Sequence, residues 1–173
     1  KGTWAQNLVM ALAMFTILYG SMTALRQKHF KRRLAYSTIS NLSYIVFAAT
    51  LMTEAGLLAA FCHLLFHSII KIGAFFSAGA VLHKTEREYV PELEGIGRKM
   101  PLTFVFFTIS ALSLTGIPPF CGFISKWYIA TTSIEAQNPF AIVGVVILLI
   151  SAFLTAMYML SPAIKAFFKR RDN

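Results

Sequence analysis

Residues 61–83, FCHLLFHSIIKIGAFFSAGAVLH, form an apolar run that nevertheless carries His63, His67 and Lys71. An apolar block of this length reads as a membrane-spanning helix. Spaced four apart, the three titratable residues advance about 40° per step around an α-helix and climb about 6 Å each time, which makes a slanted polar seam. Ionisable groups are expensive in hydrocarbon, so such a seam is expected to face a protein interior and to take part in function.

The rest of the chain agrees with that reading. Of its 173 residues, 57% are hydrophobic and 13% are charged, where a soluble domain of this size carries about twice the charged fraction. The net charge of +9 is therefore read by position, as the basic flanks of membrane spans, and no nucleic-acid partner is expected. Cys62 and Cys121 lie in apolar segments without a CxxC pattern and are expected to be buried, inert thiols. The chain opens on Lys1 and not Met, as a processed chain or a fragment would, and residues 6–25 are too long for the core of a signal peptide.

Five hydrophobic segments give an all-α membrane protein, a single transmembrane unit over residues 1–173. The first covers about residues 7–25. The second, about 34–52, carries Ser37, Thr38, Ser40, Asn41, Ser43 and Tyr44, and is expected inside a bundle. The third, 54–83, would be about 45 Å long as one helix, so tilt or local distortion is expected. The fourth, 101–133, is interrupted at Gly116-Ile117-Pro118-Pro119 with Gly122 close behind, which reads as two half-helices joined by unwound backbone. Irregular backbone at membrane depth is tolerated only inside protein or along a polar cavity, and broken spans point to ion or substrate sites. The fifth covers about 140–168.

Basic residues set orientation. Arg26, Lys28, Lys31, Arg32 and Arg33 follow the first segment; Lys84, Arg87, Arg98 and Lys99 follow the third; Lys165, Lys169, Arg170 and Arg171 close the fifth. With five spans these fall on one side, against Lys1 on the other, which predicts an outside N-terminus and a cytoplasmic C-terminus. Lys71 and Lys126 belong to no loop. The seven acids, Glu54, Glu86, Glu88, Glu92, Glu94, Glu135 and Asp172, all fall at interfaces or in connections. A lysine held in low dielectric without a carboxylate partner is suited to giving up and regaining a proton.

His63, His67 and Lys71 are candidates for a proton relay if water bridges their spacing, which is too long for direct hydrogen bonds. The competing reading is a structural membrane anchor in which the seam only packs helices. Lys126, just after the break, either serves the relay from the start of a half-helix or snorkels to the interface. Zinc lacks a third ligand, and two histidines one turn apart cannot grip one haem, so no metal or cofactor is expected. No nucleophile and base pair, phosphate-binding loop or dinucleotide fingerprint is present, so no active site on an organic substrate is expected.

Four ordered motifs over about a hundred residues carry a resemblance. They are Lys31-Arg32-Arg33-Leu34-Ala35-Tyr36-Ser37-Thr38-Ile39-Ser40; His63-x3-His67-x3-Lys71; Gly95-x-Gly97-Arg98-Lys99-Met100-Pro101-Leu102-Thr103; and Gly116-Ile117-Pro118-Pro119-Phe120-x-Gly122-Phe123-x-Ser125-Lys126. The chain resembles the antiporter-like proton-conducting membrane subunits shared by complex I (NADH:quinone oxidoreductase), Mrp-type Na⁺/H⁺ antiporters and membrane-bound hydrogenases. The resemblance implies two inverted five-helix repeats in the whole subunit, this chain being the second. Lys126 matches the lysine of the broken helix, His63, His67 and Lys71 match a polar central axis, and Lys31 matches a family lysine. Where an acid or amide usually stands two residues before that last lysine, this chain has His29. Lys126-Trp127-Tyr128 lacks the acid that complex I members often carry and looks more like the Mrp antiporter or hydrogenase branch.

The resemblance further implies other membrane subunits as partners, protons as cargo with Na⁺ possible only through partner chains, and a multi-pass location in a prokaryotic inner membrane.

Overall fold

The computed structural model describes residues 3–168 and is helical throughout them, with one isolated bridge pairing His29 and Tyr89. The helices are α1 (Trp4–Arg26), α2 (Phe30–Ala49), α3 (Glu54–Thr85), the short α4 (Ile96–Lys99), α5 (Pro101–Thr115), α6 (Cys121–Glu135) and α7 (Pro139–Phe168), with a 3₁₀ turn at Val90–Leu93. Lys1, Lys169, Arg170 and Arg171, used above for orientation, and the acid Asp172 lie outside the described residues.

α1, α3 and α7 are long and apolar enough to cross a membrane. α2 has 20 residues, enough length, but its polar content lowers its hydropathy. α5 and α6 have 15 residues each, about 22 Å on either side of the break.

α3 begins where Thr53 accepts a hydrogen bond from Gly56 N at 3.0 Å and Glu54 complements the helix dipole. It ends at Glu86, which adopts a left-handed backbone (φ 55°). Between these caps it runs for 32 residues without interruption, so no break accommodates its extra length.

Contacts run from α1 to α2, α2 to α3, α3 to both α5 and α6, and from these to α7, which returns to α1. The helices thus close into a ring. Its interior is unusually polar: Ser21, Ser37, Ser40, Ser125, Ser133, Ser151 and Thr155 are fully buried, with Asn41, His63, His67 and Lys71 almost so. Its perimeter is apolar, with Ile69 69% and Phe76 75% exposed. That inversion of the usual arrangement fits a hydrocarbon surround.

α2 buries Ser37, Ser40, Asn41, Ser43 and Tyr44 as expected, while Ile39, Leu42 and Val46 lie on the perimeter. Buried hydroxyls find partners on other helices: Ser21 Oγ is 2.8 Å from Ser40 Oγ and 2.6 Å from Ser151 Oγ, joining α1, α2 and α7.

The two ends of the ring are stapled separately. At one end Phe30 N donates to Glu88 O (2.8 Å), Val90 N donates to Lys28 O (2.8 Å), and His29 Nε2 lies 3.4 Å from Glu88 Oε2. The acid that neighbours His29 thus comes from the far connection. At the other end Gln6 Nε2 donates to Thr50 O (2.7 Å) and Asn138 Nδ2 to Asn7 Oδ1 (3.1 Å). The basic stretches after α1 and after α3 therefore share one end.

Candidate functional site

The break in the fourth span is built by its own residues. Gly116, at φ +88°, closes α5 by donating to Leu112 O and Ser113 O, while Ile117 N also reaches Leu112 O at 3.3 Å, a Schellman-type stop. Pro118 and Pro119 bring no N–H to the loop, and Phe120 N turns back to Ile117 O at 3.1 Å before α6 starts at Cys121. Gly122 lets the half-helices approach: a Cβ there would collide with the Ser113 carbonyl. Cys121 and Cys62 are half-buried free thiols, so the expectation of full burial is corrected, and Cys121 Sγ lies 3.4 Å from Ser113 Oγ.

Lys126, one turn into α6, does not reach for an interface. Its Nζ donates to Leu114 O (2.5 Å) and Thr115 O (3.3 Å), the last carbonyls of α5. The start of α6 disfavours a positive charge, but the end of α5 favours one, a contribution that only the fold reveals. The ring of Tyr44 lies beneath the ammonium, 5.3 Å from centroid to Nζ.

On α3, His63, His67 and Lys71 share one buried face. His63 and His67 stack with ring centroids 6.1 Å apart, a spacing that excludes direct hydrogen bonding. His63 Nδ1 lies 2.9 Å from Ser125 Oγ, and Ser125 Oγ donates to Gly122 O at 3.3 Å. Which of the two atoms donates depends on the imidazole tautomer; Nε2 is the ring nitrogen of His63 left without a partner among the described residues.

The structure divides the seam. His63, His67 and Lys126, with Asn41, Phe66, Ile70, Ser113, Leu114, Gly122 and Ser125, line one small cavity, with about 10 Å³ of room for the centre of a water molecule, enough for about one water. Lys71 points elsewhere, donating from Nζ to Leu34 O at 2.7 Å and to the Ser37 hydroxyl on α2. Lys31 stands on the first turn of α2, half-buried, one turn before Leu34 and apart from the cavity.

Three buried side-chain atoms lack a partner among the described residues: Asn41 Oδ1, His63 Nε2 and His67 Nε2. All three belong to residues of that one cavity. Asn41 and Tyr44 were expected inside the bundle and Ser125 lay in the fourth motif, but none of the three was assigned to the site from the sequence. Their signal was present, since a polar residue in mid-span needs a partner, but which partner is a property of the packing. No group of three His, Cys, Asp or Glu side chains gathers among the described residues.

Residues 1–155 match the family model described as NADH:quinone oxidoreductase/Mrp antiporter, TM. NADH-quinone oxidoreductase subunit N of Desulforudis audaxviator (strain MP104C) is 39% identical over 158 residues, covering 91% of this chain and 31% of that protein. The chain thus spans less than a third of the length of that curated relative. A chain in the Mrp complex from Dietzia sp. DQ12-45-1b superimposes with a TM-score of 0.89 at 28% identity, over 96% of this chain and 30% of the other. A chain in the membrane-bound sulfane sulfur reductase, an archaeal respiratory membrane complex, gives a TM-score of 0.90 at 31% identity, over 97% and 34%. With four motifs in order, a ring of apolar helices and a family match over nearly its whole length, this chain belongs to the antiporter-like membrane subunits of the NADH:quinone oxidoreductase/Mrp antiporter family.

Proposed function

We propose that this chain is the second five-helix repeat of a proton-translocating membrane subunit, in which His63, His67, Lys71 and Lys126 carry the proton. The observation that carries this reading is that Asn41, His63 and His67, the residues with an unpartnered buried atom, all line the cavity that Lys126 also lines. Water in that cavity bridges the two imidazoles, whose free nitrogens accept and pass protons. Lys126 then takes up the proton, and gives it up toward the non-cytoplasmic side when a neighbouring charge changes. Lys71 feeds the histidines from the α2 side, and Lys31 stands near the entry.

The five spans comprise α1, α2, α3, the α5–α6 pair and α7, with the N-terminus outside and the C-terminus cytoplasmic. The shared end of the basic connections supports that orientation. The location is a prokaryotic inner membrane, supported by the bacterial relative.

Other membrane subunits are the partners, as in the complexes of the related structures. The exposure of Ile117, Pro118 and Pro119 supports this, because irregular backbone halfway along a span cannot face lipid. Na⁺, if moved, passes through partner chains, since lysine and histidine nitrogens are poor ligands for it.

The test is Lys126→Met in the whole complex, assayed for proton movement in inverted vesicles. Loss of coupled transport with the complex still assembled is expected. Unchanged transport overturns the assignment.

A further inference from the structure

α7 carries a proline, Pro162, in its interior. Proline has no N–H, so the carbonyl four residues earlier, that of Tyr158, loses its helical partner. In this fold the missing donor comes from another helix: Arg33 Nη1 donates to Tyr158 O at 3.1 Å. The same guanidinium donates from Nε (2.9 Å) and Nη2 (2.7 Å) to the carbonyl of Gln27, the residue that caps the end of α1. Arg33 is only 8% exposed, and these acceptors are backbone oxygens. A planar fork serves two carbonyls on two different helices, which a lysine, with its single nitrogen on a flexible stem, does less well.

What Arg33 holds in place is the part of α2 that receives Lys71. Leu34, the next residue, supplies the carbonyl on Lys71 Nζ, and Ser37, one turn on, supplies the hydroxyl. Tyr158 offers its carbonyl to Arg33, while its phenol lies 3.2 Å from the Thr155 hydroxyl within α7. α2 is therefore tied to α7 at Arg33, the residue next to the carbonyl that holds Lys71.

We infer that Arg33 is a positioning residue for Lys71, its guanidinium standing in for the N–H that Pro162 lacks and so fixing the oxygens of α2 on which the ammonium rests. This rests on the proposal that Lys71 takes part in proton transfer.

The test exploits the proline. In the whole complex, Arg33→Gln is expected to lower transport per assembled complex by about tenfold and to displace its pH profile, since misplacing a proton carrier by about 1 Å is enough for such a loss. Adding Pro162→Ala returns the missing N–H to Tyr158 O but not the tie to α2, so the double variant is expected to regain thermal stability while its rate stays low and its profile displaced. Should Arg33→Gln fail to assemble, Arg33→Lys carries the same comparison, with and without Pro162→Ala. An unchanged rate and profile in the Arg33 variant, or recovery of the rate in the double variant, overturns the inference. Lys71→Met separates the two layers: normal transport there overturns the role of Lys71 itself, whereas loss there with no effect at Arg33 overturns only the positioning role.

Discussion

His63 Nδ1 and Ser125 Oγ stand 2.9 Å apart, joining the middle of α3 to the residue immediately before Lys126. This bond fixes which nitrogen of His63 is left for the cavity. Ser125→Ala removes it and leaves Nδ1 buried without a partner, at a cost of about 1–3 kcal/mol. The complex is expected to assemble with a lower thermal midpoint and slower proton transport, read together by melting and vesicle assays. Wild-type transport in this variant would show that the Ser125 bond does not matter to the relay.

Tyr44 separates ring from hydroxyl. Its ring lies beneath Lys126 and 5.5 Å from His63, while its hydroxyl donates to Leu148 O at 3.3 Å. Tyr44→Phe keeps the ring and is expected to cost about 1 kcal/mol of stability with transport nearly intact. Tyr44→Leu removes the π-face under the ammonium, worth about 2 kcal/mol when desolvated, and is expected to impair transport more strongly. Equal transport in the two variants would show that the ring does not matter to Lys126.

Gly122 and Gly79 make a matched pair. A Cβ at Gly122 meets the Ser113 carbonyl, whereas one at Gly79 meets nothing within 4 Å. Gly122→Ala is expected to force the half-helices apart, costing about 3 kcal/mol and reducing the amount of complex on native gels. Gly79→Ala is expected to be neutral or stabilising by up to about 1 kcal/mol.

The exposed break predicts a protein neighbour. A nitroxide at Ile117→Cys, in the assembled complex with Cys62 and Cys121 replaced, is expected to be shielded from both dissolved oxygen and a water-soluble nickel chelate. Ready collision with oxygen would mean that lipid covers residues 117–119 and that no subunit does.

Much of this molecule is legible along the chain. Long apolar runs, and Gly116 with its two prolines, act through nearest neighbours and backbone chemistry, so helix positions and the broken segment follow from local composition. The polar residues of the second segment also announced their burial, because hydrocarbon offers hydroxyls and amides no partners.

What lay beyond the sequence was the pairing of those groups. Lys71 was legible as an interior amine, yet its turn toward Leu34 and Ser37, away from the histidines, depends on how α2 lies against α3. Lys126 resting on the end of α5, His63 on Ser125, and Arg33 on the carbonyl freed by Pro162 are likewise contacts between separate helices. Composition and periodicity determined that this chain forms apolar helices with a polar interior. Only the tertiary structure decided which oxygen each buried nitrogen faces, because hydrogen bonds are short and directional and their partners lie far apart along the chain.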